Sequence, residues 1–218
     1  MLTLAIDTST NVLSVALLRG ETVLTALTEP TKNNQSEILM SRISELMQTC
    51  NLTPSVLEKI VVAVGPGSYT GIRVGVAAAK SLAYALDIPI VGVSSLEVMA
   101  HLLFECGTDD DLVAALIDAR RGTVFAAVYD SGGALEVAAG HFELKVLLEK
   151  IPSEKSISFV GDETLASKAQ WVRSEQALDQ NKAVVAAKLA KSKAACVDVH
   201  GLVPNYLRKT EAELNLNG

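Results

Sequence analysis

Apolar and polar positions along this chain follow two periods, and the changes of period mark its elements. Leu2–Ile6 is an unbroken apolar run closed by Asp7, the pattern of a buried strand. Val12–Leu18 is a second such run. Arg19-Gly20-Glu21 then supplies a tight turn, and Thr22–Leu27 returns as a third strand rich in β-formers. A polar loop, Glu29–Asn34, carries Pro30. From Ser36 the period becomes helical: Leu39, Met40, Ile43, Leu46, Met47 and Cys50 recur on one face, with Glu37, Arg42 and Gln48 opposite, which predicts a helix over Ser36–Cys50. Thr53-Pro54 predicts a short helix with Thr53 as its N-cap. Ile60–Val64 is apolar on both faces, as a central parallel strand is. A Gly-rich turn leads into a helix over Thr70–Leu86, Ile88–Val93 makes a fifth strand, and Ser94 or Ser95 caps a helix reaching about Phe104.

The opening pattern then recurs. Leu112–Ile117 is an apolar strand ending in Asp118, Arg120-Arg121-Gly122 turns into Thr123–Tyr129, and Ser131-Gly132-Gly133 turns again into an extended stretch from Ala134. A helix over roughly Leu144–Lys150 follows. Ser158–Val160 reads as the fourth strand of this second copy and Lys182–Ala195 as a long Ala/Lys-rich helix. The tail from Gly201 looks extended. Two strand–strand–strand–helix units, each with an Asp closing its first strand, predict an α/β protein with a duplicated βββαβα unit. That is the architecture of the actin-like ATPase fold (ASKHA, ribonuclease H-like), in which two meander hairpins face each other across a nucleotide cleft. The expected division is an N-terminal lobe over 1–105 and a smaller, more degenerate one over 106–218.

Composition narrows the function classes. With 218 residues, 49% hydrophobic and 20% charged, the chain has material for a genuine core and is not a disordered one. Aromatics are only 4%, so that core rests on Leu, Val, Ile and Ala. The formal net charge of −6 argues against a primary RNA-gripping protein. No signal-peptide pattern precedes the first strand and no apolar run approaches the roughly 20 residues of a membrane span, so a cytoplasmic protein is expected. Cys50, Cys106 and Cys196, odd in number and widely spaced, read as reduced thiols.

The most distinctive segment is Gly65-Pro66-Gly67-Ser68-Tyr69-Thr70-Gly71-Ile72-Arg73-Val74-Gly75. It lies between a strand and a helix, where phosphates are often held. Thr70 stands where a dinucleotide motif needs Gly, Ile72-Arg73 stand where a P-loop needs Lys and Ser/Thr, and Pro66 and Thr70 break a nucleophile elbow around Ser68. In the helix that follows, Gly71, Gly75, Ala78, Ala79 and Leu82 share one face, and Ala77, Ser81, Ala83 and Ala85 keep the rod thin. Each internal Gly costs about 1 kcal/mol against Ala. The compensating close approach is either to the chain's own sheet or to a second subunit. Asp7-Thr8-Ser9 sits at the first hairpin's cleft position, with Thr8 in place of the usual Gly. Asp7 either faces the cleft or simply ends its strand and accepts backbone N–H groups. Arg120 and Arg121, between two strands on the cleft side, are open to an anion or to solvent alone. His101, His141 and His200 stand alone, with no H-E-x-x-H or H-x-x-x-H spacing.

Taken together, Ile6-Asp7-Thr8-Ser9, the block Val64–Lys80, Ser94-Ser95-Leu96-Glu97, Asp118-Ala119-Arg120-Arg121 and Pro204-Asn205-Tyr206-Leu207-Arg208 resemble the bacterial TsaB family, formerly YeaZ. The resemblance runs over nearly the full chain, and G-P-G-S-Y-T-G-[IL]-R is its most specific part. It implies a non-catalytic dimerisation or scaffold subunit of the complex that transfers threonylcarbamoyl to the adenosine 3′ of the anticodon in tRNAs reading codons that begin with A. The implied partners are the metal-binding catalytic paralogue TsaD and the ATPase TsaE, with a homodimer when the subunit is alone, tRNA met only through the complex, and no membrane. No cofactor of its own is implied, ATP or ADP being bound mainly by the partners. Docking is expected through Leu39, Ile43 and Met47 of the first helix and Gly71, Arg73, Val74, Gly75, Ala77 and Ala78 of the Thr70–Leu86 helix. Asp7, Thr8, Ser9, Gly67, Ser68 and Arg120 form the expected nucleotide or anion cleft. No metal site is expected: the paralogue's H-x-x-x-H pair corresponds to Ser95 and Met99 here, and its second-lobe Gly-rich nucleotide motifs are missing from Ala134–Ala195. The competing readings are a nucleotide-regulated switch subunit and an M22-type glycoprotease.

Overall fold

The computed structural model describes residues 1–31, 34–168, 172–174, 180–196 and 198–207. The apolar runs form two mixed sheets of identical plan. The first holds β1 (Leu2–Asp7), β2 (Val12–Arg19), β3 (Thr22–Pro30), β4 (Lys59–Gly65) and β5 (Ile90–Ser94), in the order β3-β2-β1-β4-β5. The second holds β6 (Leu112–Asp118), β7 (Thr123–Asp130), β8 (Leu135–Glu143), β9 (Ile157–Gly161) and β10 (Val172–Ser174), in the order β10-β9-β6-β7-β8. In each, the meander pairs antiparallel and the first strand pairs parallel with the fourth. The helices are α1 (Gln35–Thr49), α2 (Tyr69–Leu86), α3 (Ser95–Glu105), α4 (Leu144–Leu148), α5 (Glu163–Lys168) and α6 (Lys182–Leu189). They fall at equivalent places in the two copies, so the repeating unit is strand–strand–strand–helix–strand–helix–strand–helix. This is the actin-like arrangement that the duplication predicts.

Helices cover the outer face of each sheet, and two more lie between the sheets. Leu39, Ile43, Leu46 and Met47 of α1 pack with Ile72, Val76, Ala79 and Ala83 of α2 onto β1, β2 and β4. Burying each large side chain of this kind contributes about 1.5–3 kcal/mol. α4 and α5 cover the second sheet through Leu147 and Leu165. Between the sheets, α3 and α6 share one core with Ala5, Val61 and Val93 on one side and Val113, Ala115 and Val160 on the other.

Several expectations are corrected. β3 continues through Pro30, paired with Val12; as an edge strand it tolerates the missing N–H. Thr53 occupies the N-cap of a 3₁₀ turn over Pro54–Val56, yet its hydroxyl meets that of Ser55 and caps no backbone N–H. α6 ends at Leu189 and not at Ala195, because Cys196 donates its N–H to the Ile90 carbonyl and pairs with β5. That sheet contact overrides the helical propensity of the Ala/Lys run. α5 and β10 escaped the sequence pattern since six and three residues are too few to display a period.

Candidate functional site

The turn after β1 is built around a buried carboxylate. Asp7 is 0% exposed, and its Oδ1 accepts the Ser9 N–H at 2.8 Å and the Ser9 hydroxyl at 2.7 Å. Lys182, the first residue of α6, is 3% exposed; its Nζ donates to Thr10 Oγ1 at 2.7 Å and stands 3.8 Å from Asp7 Oδ1. The Asp7 Oδ2 atom is buried without a hydrogen-bond partner. Against this turn lies the Gly-rich segment: the Ser68 N–H donates to the Ser9 carbonyl at 2.7 Å, and Thr8 Oγ1 donates to the Gly71 carbonyl at 2.7 Å. A Cβ on Gly67 would overlap the Ser9 carbonyl, one on Gly71 the Thr8 carbonyl, and one on Gly75 the Thr8 hydroxyl. Ser68 caps α2 by accepting the Gly71 N–H at 3.2 Å.

A cleft of about 670 Å³ opens between the two sheets above this turn, with Ser9, Gly67 and Ser68 on one wall and Asp118, Arg120 and Asp162 on the other. Of the six residues expected there, Ser9, Gly67, Ser68 and Arg120 line it. Asp7 and Thr8 do not: both are fully buried, Asp7 facing the Lys182 ammonium and Thr8 clamped under α2. Arg120 and Arg121 are consecutive left-handed residues, φ 66° and 52°, that carry both guanidinium groups on an exposed hairpin tip. Asp162 Oδ2 accepts the Asp118 N–H at 3.0 Å, and its Oδ1 accepts the Leu165 N–H at 2.9 Å. Burial pushes the Asp162 carboxyl above the usual carboxylate range; the two N–H bonds and the Lys182 charge oppose this, while the Asp118 carboxylate reinforces it. Sequence reading missed Lys182 and Asp162. Lys182 is one lysine of an Ala/Lys-rich run. Asp162 closes β9 as Asp118 closes β6, a repetition that offered the available signal.

The expected docking residues divide by burial. Leu39, Ile43 and Met47 are corrected: all three sit in the core beneath α1, which leaves Met40 as that helix's exposed apolar side chain. Gly71 and Gly75 are also corrected, since the approach they permit is to Thr8 of the same chain. Val74 and Ala78 are half-buried, whereas Arg73 and Ala77 are exposed. Tyr69, Arg73, Ala77, Ser81 and Tyr84, three or four residues apart, make the outward face of α2, and Tyr84 is 69% exposed. Arg73 stacks over the Tyr69 ring at 5.2 Å and donates to its hydroxyl at 2.8 Å. The tail runs alongside. Tyr206 packs on Tyr69 and His200 on Tyr84, each with ring centroids 5.3 Å apart. Lys80 Nζ donates to the His200 and Leu202 carbonyls at 2.9 Å each, and the Asn205 N–H donates to the Val64 carbonyl at 2.7 Å. A groove of about 700 Å³ is left between α2 and the tail. Arg208 lies outside the described residues.

Ser95 and Met99, expected to stand where the resembled family's paralogue has its metal pair, are 1% and 0% exposed on α3, Met99 within the core between the sheets. Among the described residues, no three His, Cys, Asp or Glu side chains converge as metal ligands would. No helix among them is long and apolar enough to cross a membrane.

The family model described as "TsaD: tRNA N6-adenosine threonylcarbamoyltransferase" matches residues 28–216. The tRNA threonylcarbamoyladenosine biosynthesis protein TsaB of Bacillus subtilis (strain 168) is 40% identical over 232 aligned positions, which take in 98% of this chain and 96% of that protein. The protein of the same name from Haemophilus influenzae is 38% identical over 56% of this chain and 51% of its own length. Among solved structures, YeaZ from Pseudomonas aeruginosa superposes with a TM-score of 0.74 at 24% identity, covering 94% of this chain and 99% of that one, a likeness of fold.

Proposed function

Because the chain belongs to the TsaB family of tRNA threonylcarbamoyladenosine biosynthesis proteins, we propose that it serves that modification as a non-catalytic scaffold, holding the TsaD transferase against the outward face of α2. The observation that carries this reading is that face itself. Two tyrosines and an arginine flank the small residues Ala77 and Ser81 beside an apolar groove, the mixture of aromatic and Arg anchors that dominates protein interfaces. The buried Ser95 and Met99 support the absence of a catalytic role, since neither is a ligand for a hard or borderline cation. The same face serves self-association when the subunit is alone. TsaE joins the assembly, tRNA is met through the complex in keeping with the net charge of −6, and the protein works in the cytoplasm.

Ala77→Glu and Tyr84→Ala test the interface. Each places its change on exposed surface, so the melting temperature stays within a degree or two of wild type while association with the transferase weakens by about tenfold or more. Wild-type pull-down by both variants would reject the assignment. Reconstituted tRNA modification tests the rest: activity requires both proteins, and transfer by this chain alone would sink the scaffold reading.

A second reading is favoured by the cleft between the sheets, where Ser9, Gly67, Ser68 and Arg120 present hydroxyl, backbone and guanidinium groups suited to a phosphate. In it, ATP or ADP bound there regulates assembly. Calorimetry with each nucleotide, on the isolated subunit and on the complex, distinguishes a switch from a plain scaffold.

A further inference from the structure

An ammonium group leaves water at a large cost, which a carboxylate and further acceptors must offset. Lys182 meets both conditions in the buried turn beneath the cleft, with Asp7 Oδ1 at 3.8 Å and Thr10 Oγ1 at 2.7 Å. It reaches them from α6, an element of the second half of the chain, while Asp7 ends β1 and Thr10 lies in the β1–β2 turn of the first. Its neighbour Asn181 makes a parallel crossing: Nδ2 donates to the Leu27 carbonyl at 2.7 Å and to Thr28 Oγ1 at 2.8 Å. On the opposite wall, the carboxyl of Asp162 also feels the Lys182 charge. One buried cation therefore stands within electrostatic reach of acidic groups of both sheets, supplying the charge balance that carboxylates elsewhere take from a bound cation.

We infer that Lys182 is a built-in counter-cation for the turn beneath the cleft, balancing Asp7 and tying the start of α6 to the first sheet, so that the two sheets hold their arrangement with no divalent metal. This stands apart from the docking surface on α2 and survives if that assignment fails. It makes this buried pair unresponsive to magnesium or manganese, whatever anion enters the cleft above it.

Thermal unfolding of the purified full chain, in EDTA and in millimolar MgCl₂ or MnCl₂, provides the test, combined with a double-mutant cycle. The wild-type Tm is the same in all three buffers. Lys182→Met removes the cation beside a buried carboxylate and lowers Tm by about 10 °C, and Asp7→Asn, which removes the carboxylate 3.8 Å from the ammonium, lowers it comparably. The neutral pair Asp7→Asn/Lys182→Met recovers about half or more of the loss of either single variant. If a single variant does not fold, folding of the double variant sustains the inference. A wild-type Tm raised by either metal would overturn it. So would a Lys182→Met protein as stable as wild type, a double variant as unstable as the sum of the singles, or a double variant that does not fold.

Discussion

The Thr8 hydroxyl donates to the Gly71 carbonyl at 2.7 Å, fastening the first turn of α2 to the turn that follows β1. Thr8 fills the space left by two absent side chains, its carbonyl under Gly71 and its hydroxyl under Gly75. The loop's glycines thus serve an internal contact between residues more than sixty apart in sequence, and the helix they begin turns its other side outward.

Replacing these glycines will be costly even though alanine favours helix. Gly71→Ala meets backbone, which cannot rotate away, and is expected to lose about 2–3 kcal/mol net of the helix-propensity gain; Gly75→Ala meets a side chain and loses less. Urea midpoints for the two variants, with Ser81→Ala as an exposed control, check both the size and the order.

Asn181 does two tasks that one substitution separates. Its Oδ1 caps α6 by accepting the Val184 N–H at 3.1 Å, while Nδ2 donates to Leu27 and Thr28. Asn181→Asp keeps the cap and loses the donations, whereas Asn181→Ala loses both. Losses of about 1 and 2–3 kcal/mol in chemical denaturation are expected, in that order.

Lys80 holds the tail to α2 through two carbonyls. Lys80→Met keeps the aliphatic stem and removes both bonds. Hydrogen exchange of residues 199–206 is then expected to quicken by about an order of magnitude while the sheets remain protected, because the opening is local.

Asp162 gives the protein a pH dependence of unusual sign for a carboxylate. Its pKa is raised chiefly by burial, so the folded state holds the proton more tightly than the unfolded chain does. Stability therefore falls as pH rises from about 4 towards the folded-state pKa, and the decline levels off above it. Tm measured across that range in wild type and in Asp162→Asn checks this: the variant's curve should lack that downward component.

Much of the fold was legible because the apolar runs are long and their order repeats. Leu2–Asp7 and Leu112–Asp118 announce equivalent strands, and α1, α2 and α3 have enough turns to display a helical period. The docking face was less legible for a specific reason. Periodicity identifies an apolar stripe but does not say what covers it, and the stripe of Leu39, Ile43 and Met47 turned out to be the chain's own core. In α2 the small residues signal a close approach but do not say to what, and the neighbour that Gly71 and Gly75 meet is Thr8 of the same chain. Lys182 was illegible on any local grounds. Its partners lie some 170 residues earlier, and only the placement of α6 on the first sheet brings them together.

The helices between the sheets impose one last condition. α6 comes from the second half of the chain yet closes over β1 and β2, and α3 comes from the first half yet lies on β6 and β7. Each half therefore lends the other its lid. A polypeptide cut after residue 105 would therefore part β1 and β2 from α6, and β6 and β7 from α3, uncovering apolar surface on both pieces.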